Sequence, residues 1–398
     1  MMKVSKIVFI LIIVLSNAAF SQWESCNEGL KSSQTSAFLV NDSNIFAGGF
    51  KGIFLSSDDG NSWVEKNSGL SDAFVRAIAT DGNSIFVGIQ GNGSVFKSTD
   101  YGNSWTKNNS GLTDTIVRAI AINGTNIFAG TRGGIFVSND YGNSWFKKND
   151  GLTDINIYCL AISGNDIFAG TRKNGFVSKN NGISWSPLNI GSPSNMVQSI
   201  FINGNTIFAG TGEGLFLSQD NGINWIENNP ELFTGPIISF AISGTNIFAA
   251  TSLEIFLSKD SCKTWTQVNS GTTFSIIVLA VTEDYIFVGT NGNGLFKAKL
   301  SDIGITDIRN IRSVDLDISV SPNPVSDILT LSFSKPELST LNISIINSLG
   351  IEMKRFDENE LSGRNTINFS TQEFPSGIYY CILKSGLKKV TKSFVIMR

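Results

Sequence analysis

An acidic segment that ends in tryptophan recurs along this chain and carries residue types that bind calcium or act as catalytic carboxylates. Its clearest copies are SSDDGNSW (56–63), STDYGNSW (98–105) and SNDYGNSW (138–145). The acid spacing differs from that of an EF-hand loop, and the distal glutamate of such a loop is absent. An Asp at this place is suited to accept hydrogen bonds from the backbone of its own turn. We therefore interpret the segments, called acidic turns below, as structural, and we expect no metal and no cofactor.

Three further copies of the acidic turn are degenerate: SKNNGISW (178–185), SQDNGINW (218–225) and SKDSCKTW (258–265). Asn180 can replace the Asp as an acceptor, whereas Cys262 stands where Gly would allow a left-handed backbone and should strain its turn. The tryptophan offers a large apolar surface for packing within or between repeats. The residues predicted to shape the turns are Asp58, Gly60, Trp63, Asp100, Gly102, Trp105, Asp140, Gly142, Trp145, Asp220 and Trp225.

The composition excludes several kinds of function. There is no histidine, which removes the usual general base, the His-dependent triads and the commonest zinc ligand. The net charge of -3 lacks the excess of positive charge that is typical of nucleic-acid-binding proteins. Of the four cysteines, Cys159 and Cys381 lie in apolar runs and are expected to be buried. A disulfide between Cys26 and Cys262 stays open as an alternative for an exported protein.

A longer repeat contains these turns. The phrase NIFAG and its variants occur seven times, at a period of roughly 40 residues. Each repeat reads as an alternating apolar run, the IFAG run, a third short run, the acidic turn and a polar segment after the tryptophan. Four short strands in a unit of this length are typical of a β-propeller blade. We predict an all-β chain.

The tryptophans indicate how the ring closes. Trp23 has the register of the repeat tryptophans yet precedes the first IFAG run, while the seventh repeat ends after three predicted strands. We therefore predict that residues 22–30 supply the fourth strand of the last blade. This arrangement protects edges that an open sheet would expose. The prediction is a seven-bladed propeller over residues 22–300.

On its acidic turns, the region 22–300 resembles the Asp-box, or BNR-repeat, propellers. These include sialidases, xyloglucan-active glycoside hydrolases, photosystem assembly factors and sortilin-type receptors. The sialidase resemblance implies an arginine triad, a Tyr–Glu nucleophile pair and an Asp acid/base, but no glutamate stands beside Tyr158 in the repeat register. The regular blades look more like those of the binding scaffolds. We expect a non-enzymatic scaffold for a protein or glycan and assign no catalytic residue; a secreted glycoside hydrolase remains the alternative.

Residues that bind a ligand are expected at positions where the repeats differ in sequence. One column at the start of the innermost strands reads Ser36, Arg76, Arg118, Tyr158, Gln198, Ile238 and Ile277. Arg132 and Arg172 stand in loops predicted on the same face. We hypothesise a polar or anion-binding patch near the mouth of the channel, formed by Arg76, Arg118, Arg132, Tyr158, Arg172 and Gln198. The alternative is that Asp72–Arg76 and Asp114–Arg118 are repeated ion pairs that satisfy each other.

The two ends of the chain carry targeting features. Lys3 and Lys6 precede the apolar run 7–15, and AFS (19–21) offers a cleavage site before Gln22, so residues 1–21 are predicted to be a secretory signal peptide. No later stretch of the sequence is long enough for a transmembrane helix. The polar segment 301–317 is interpreted as a linker.

Residues 318–398 are predicted to form a small β-sandwich. They carry SPNP (321–324), NSLG (347–350), FPSGIYYCIL (374–383) and a terminal KSFVIMR. In this combination they resemble the C-terminal sorting domain of the type IX secretion system of Bacteroidetes. The resemblance implies export, interaction with that secretion machinery, and a secreted or cell-surface protein. The alternative is an ordinary adhesive sandwich domain.

Overall fold

The computed structural model describes residues 22–305, except 42–43, 71–72, 92–94, 115, 193–195, 234 and 270–272, and residues 318–397, except 334–340, 348–350, 357–365 and 386–387. The predicted signal peptide lies outside the described residues. The described ranges are built of strands, and they contain no helix of the length and apolar character needed to cross a membrane.

Strands of the N-terminal region form seven four-stranded antiparallel sheets within the described residues. The first strands of these sheets are β2 (Thr35–Asn41), β6 (Phe74–Thr80), β10 (Val117–Asn123), β14 (Ile157–Ser163), β18 (Val197–Asn203), β22 (Ser239–Ser243) and β26 (Ile276–Val281). The second strands are β3 (Asn44–Gly49), β7 (Ile85–Gln90), β11 (Asn126–Thr131), β15 (Asp166–Thr171), β19 (Thr206–Thr211), β23 (Asn246–Ala250) and β27 (Tyr285–Thr290).

The outer half of each sheet is shorter. The third strands are β4 (Gly52–Ser56), β8 (Val95–Ser98), β12 (Gly134–Ser138), β16 (Gly175–Ser178), β20 (Leu215–Ser218), β24 (Ile255–Ser258) and β28 (Leu295–Lys299). The fourth strands are β5 (Val64–Glu65), β9 (Thr106–Lys107), β13 (Phe146–Lys147), β17 (Ser186–Leu188), β21 (Ile226–Asn228), β25 (Thr266–Gln267) and β1 (Glu24–Ser25). Short outermost strands limit the exposed edge that could pair with another chain.

The sheets are arranged in a closed ring, as in a β-propeller. Each first strand contacts the first strand of the next sheet, and β26 contacts β2. The last sheet has the order β1-β28-β27-β26, in which Glu24 pairs with Lys297 and Ser25 with Phe296. The prediction that the N-terminal segment supplies the missing strand is therefore confirmed.

The IFAG run forms the second strand because this position is covered on both faces. In β11 all residues after Asn126 are buried, which explains a continuous apolar run in place of alternation. Glycine is needed where the neighbouring sheet comes close: a Cβ on Gly130 would lie 2.7 Å from Cγ2 of Ile157 in the next first strand. Larger residues here would force the sheets apart.

The acidic turns are held by hydrogen bonds within the turn, as predicted. In the third turn Oδ1 of Asp140 accepts the backbone N–H of Ser144 (2.9 Å) and the hydroxyl of Ser138 (2.7 Å), while Oδ2 accepts the hydroxyl of Ser144 (2.6 Å). These donors hold the pKa of the Asp140 carboxyl at about 2. The Gly142 N–H donates to the Ser138 hydroxyl (2.8 Å), so hydrogen bonds from the turn's own residues hold it closed.

The tryptophans link one sheet to the preceding one. Trp105 and Trp145 are buried and donate their indole N–H to the backbone carbonyls of Lys66 and Asn108, 2.8 and 3.0 Å away. Trp225 is the exception, because it donates to Gly222 of its own turn and is only half-buried. The repeated position of the tryptophans in the sequence therefore reflects packing between neighbouring blades.

The cysteines are all free, so the disulfide considered between Cys26 and Cys262 is not formed. The two lie in different apolar clusters, and burial raises the pKa of each thiol to about 12, which keeps it protonated. Cys262 adopts φ +69°, the left-handed conformation predicted to strain its turn. Cys381 is buried, whereas the prediction for Cys159 was too strong, since this side chain is half-buried.

Acid should weaken the propeller through its acidic turns. The pKa of an unfolded aspartate is about 4, and the folded values for Asp100, Asp140 and Asp260 are about 2. A lowered folded pKa contributes stability above the unfolded value, and this is lost as the pH falls from about 4 towards 2. In urea unfolding between pH 2 and 6, Asp140→Asn should reduce the slope of stability against pH, and Asn180→Asp should increase it. Unchanged slopes in both variants would contradict this account.

A second unit follows the propeller. One sheet has the order β29-β30-β33 and the other β32-β31-β34-β35. The strands are β29 (Ile318–Ser321), β30 (Ile328–Phe333), β31 (Leu341–Asn347), β32 (Glu352–Phe356), β33 (Thr366–Ser370), β34 (Gly377–Ser385) and β35 (Lys388–Ile396). Side chains of both sheets, among them Leu331 and Leu383, share one buried cluster. The predicted β-sandwich therefore has its own core.

The segment between the two units begins as part of the propeller. Ile303 and Ile305 are buried in the cluster of the last two sheets, and the Ile305 N–H donates to the Leu300 carbonyl (2.9 Å). Residues 306–317 lie outside the described residues. The packed structure thus continues a few residues into the predicted linker.

Candidate ligand-binding site at the channel mouth

One cavity lies in the middle of the ring, where the first strands begin. It is lined by the predicted column of Ser36, Arg76, Arg118, Tyr158, Gln198, Ile238 and Ile277. Gln34, Ser252, Ser275, Ile276 and Asn291 complete its lining, and its volume is about 500 Å³. This size is within the range of small-ligand sites. The structure therefore brings together the residues that the repeat register had aligned.

A β-bulge sets the direction of most of these side chains. The register between β10 and β11 shifts across Arg118, between Val117 and Ala119. A bulged residue is left unpaired and its side chain is turned relative to the regular strand. Equivalent shifts flank Ser36, Arg76, Tyr158, Gln198 and Ile277. The repeated bulge directs one residue from each of these sheets towards the cavity.

Arg76 is held by neutral partners. Its Nε donates to Oε1 of Gln90 (2.8 Å), and its guanidinium lies 4.2 Å from the centre of the Phe74 ring. Burial, followed by the positive charge of Arg118, lowers the pKa of Arg76. Both effects disfavour the cation, so an anion nearby would stabilise it.

Arg118 is also positioned by neutral groups. Its Nη1 donates to Oδ1 of Asn156 (2.7 Å), and its guanidinium lies 5.0 Å from the centre of the Tyr158 ring. Cation–π and amide contacts of this kind fix the orientation of a guanidinium without neutralising its charge. Two oriented cations therefore share the cavity.

The alternative of a repeated ion pair is wrong for Arg118. No salt bridge between described residues involves Arg76 or Arg118. Asp114 instead accepts the backbone N–H of Ile116 on Oδ1 (2.8 Å), and its Oδ2 packs against the turn at Gly133. Asp72, the predicted partner of Arg76, lies outside the described residues.

Gln198 lines the same cavity and carries a buried acceptor beneath its surface. Its Oε1 is buried and has no hydrogen-bond partner among the described residues, while its Nε2 lies 3.7 Å from Sδ of Met196. A buried polar atom without a partner is costly. Oδ2 of Asp154 is also unpartnered among the described residues, but Asp154 does not line the cavity.

Arg132 and Arg172 lie apart from the other predicted residues. Each is exposed and directly follows a second strand, in the turn that leads to the third. This places them on the same face but one strand further from the axis, and neither lines the cavity. Of the four arginines predicted for the patch, Arg76 and Arg118 line this cavity.

The lining has a definite chemical character. None of its described residues is an aspartate or glutamate. The described chain also contains no group of three or more Cys, Asp or Glu side chains that could hold a metal ion. The apolar part of the wall, Ile238, Ile276 and Ile277, was not among the predicted binding residues, although two of the three stood in the same sequence column. The cavity offers two cations and an apolar wall.

Comparison with known proteins identifies the C-terminal unit. Residues 319–397 match the family model described as the secretion system C-terminal sorting domain. This indicates export through the type IX secretion system, to the cell surface or the extracellular space, and interaction with its machinery. No curated protein sequence matches the chain.

Solved structures support the propeller fold. YCF48 bound to D1 peptide is 16% identical (TM-score 0.56), with 71% of this chain and 98% of that chain covered. PorZ, an essential surface component of the type-IX secretion system of Porphyromonas gingivalis, is 16% identical (TM-score 0.52), with coverage of 94% and 60%. The GH74 xyloglucanase from Xanthomonas campestris is 14% identical (TM-score 0.56), with coverage of 79% and 59%. At these identities the likeness concerns the fold alone.

Proposed function

We propose that this protein is a secreted or cell-surface binding scaffold that holds an anionic group of a protein or glycan ligand at Arg76 and Arg118. The observation that supports this most is the pair of guanidinium groups in one cavity whose described lining contains no carboxylate. Burial of cations away from water is unfavourable unless an opposite charge is supplied. Arginine also presents several N–H donors that match the geometry of carboxylate, sulfate or phosphate groups.

The residues that line the cavity fit a binding scaffold better than they fit a glycoside hydrolase, the alternative that the sequence left open. Glycoside hydrolysis commonly needs two carboxyl groups flanking the scissile bond, and the described lining provides none. The similarity to a xyloglucanase extends to the fold and supplies no catalytic pair. The structure of YCF48 with a D1 peptide supports including peptides among the candidate ligands.

Anionic ligands should bind the mature protein through the two arginines. On arrays of glycans and acidic peptides, we expect hits to carry a carboxylate, sulfate or phosphate and to bind at least about tenfold better than neutral counterparts, as for a charge-assisted contact. The double variant Arg76→Gln/Arg118→Gln should lose these hits. The control Arg132→Gln/Arg172→Gln removes the same charge from outside the cavity and should keep them.

The same samples test the alternative. Equal binding of neutral and anionic ligands, or full binding by the Arg76→Gln/Arg118→Gln variant, would contradict the proposed site. Turnover of a fluorogenic glycoside panel by the mature protein, above that of the double variant, would instead support a hydrolase. Thermal unfolding of each variant shows whether the propeller remains intact.

A further inference from the structure

We infer that the channel-mouth cavity selects an amphipathic anion, meaning an acidic group joined to an apolar body that lies against Ile238 and Ile277. This rests on the proposed function, because the acidic group is the one held by Arg76 and Arg118. The added element is the apolar wall. The chemistry is that of a small organic acid, or of an acidic side chain next to an apolar one in a partner protein.

The ring places the cations and the apolar wall on opposite sides. Arg76 and Arg118 come from the second and third sheets in chain order, and Ile238 and Ile277 from the sixth and seventh. Arg118 and Ile277 are thus three sheets apart by the shorter way round, which is the largest separation that a ring of seven allows. The cavity is therefore polarised across its width.

The isoleucines are available to a ligand. Ile238 and Ile277 are half-buried and line the cavity, whereas Ile276 beside them is buried in the core of the last two sheets. Ile277 is the bulged residue of its strand, so the backbone turns an apolar side chain to the place where other sheets present polar ones. Covering partly exposed apolar surface is favourable, and a hydrocarbon group provides that cover.

Gln198 lies between the two walls of the cavity. It belongs to the fifth sheet, between the tyrosine of the fourth and the isoleucine of the sixth. Its buried Oε1 lacks a hydrogen-bond donor among the described residues. Purely inorganic anions would leave the apolar wall unused.

Acetate and octanoate provide a direct test, since they share a carboxylate and differ in their apolar body. In ligand-observed NMR titrations of the mature protein, octanoate should bind at least tenfold more tightly than acetate. Ile238→Thr/Ile277→Thr should remove most of this difference and leave acetate binding unchanged. The matched control Ile223→Thr alters an isoleucine that is 67% exposed on an acidic turn and should have no effect. Arg118→Gln should weaken both ligands.

The outcomes separate the two proposals. Equal affinities for acetate and octanoate, an octanoate preference that survives Ile238→Thr/Ile277→Thr, or one that is lost in Ile223→Thr, would overturn the amphipathic site. Anion binding would still stand if Arg118→Gln weakens acetate. Affinities that do not respond to Arg118→Gln would overturn both proposals. Thermal unfolding of the variants monitors folding.

A blocked peptide, acetyl-Leu-Asp-amide, distinguishes the sources of the ligand. If it binds more tightly than octanoate and depends on the same isoleucines, the site recognises a partner protein. If octanoate binds more tightly, the site recognises a free organic acid. Either result supports the amphipathic site.

Discussion

Removal of residues 318–398 should prevent the protein from reaching the cell surface and leave it in the periplasm. The family match places a secretion-system sorting domain at residues 319–397. This domain has its own buried cluster, formed by side chains of its two sheets, so its loss should not unfold the propeller. Surface labelling and fractionation of cells that express the full and the truncated chain measure the effect. The expected change is near-complete loss of surface signal.

Two controls make this result specific to sorting. The truncated protein in the periplasmic fraction should show cooperative thermal unfolding, which establishes that the propeller is folded. The full chain carrying Arg118→Gln should be exported normally, because the channel mouth belongs to the other unit. Surface display of the truncated chain at the level of the full chain would refute the sorting role.

Loss of the N-terminal strand should have the largest effect on stability. Trp23 is buried and donates its indole N–H to the Val268 carbonyl (3.2 Å). Cys26 donates its backbone N–H to Leu295 (3.0 Å) in β28 and accepts the indole N–H of Trp63 (2.8 Å) from the first sheet. The segment therefore joins the last sheet to its neighbours on both sides. Its removal would expose the edge of β28 and remove contacts that join the last sheet to both neighbours.

Trp23→Ala should lower the free energy of unfolding by about 3–5 kcal/mol, as expected for truncation of a large buried aromatic side chain. Deletion of residues 22–30 should cost more, because it also removes the strand pairing. Denaturant unfolding of the mature protein measures both. Trp225→Ala is the matched control: this half-buried tryptophan bonds within its own turn, so its loss should cost clearly less. Equal losses for Trp23→Ala and Trp225→Ala would contradict the closing role.

The sequence determined the repeat and its closure. The same strand pairing and the same packing between blades occur in every repeat. The spacing of the IFAG runs and of the tryptophans in the sequence therefore indicates both. Trp23 shows this best: its register, together with a seventh repeat that ends after three predicted strands, placed the N-terminal segment in the last sheet, and the pairing of Glu24 with Lys297 confirms it. The acidic turns are equally local, because Asp140 bonds only to residues close in sequence. The sorting domain was recognised from a combination of short segments.

The tertiary structure decided which side chains share the cavity and what they contact. The bulges at the start of the first strands leave no clear mark in the sequence, yet they direct Arg118 away from Asp114 and towards Asn156. Arg172 shares the face but lies one strand outwards. Ile277 stood in the aligned sequence column, but only the structure shows that it forms an apolar wall opposite Arg118. The pattern of buried and exposed positions can be read from short stretches of sequence. Contacts between repeats depend on backbone geometry, which neighbouring residues in the sequence do not determine.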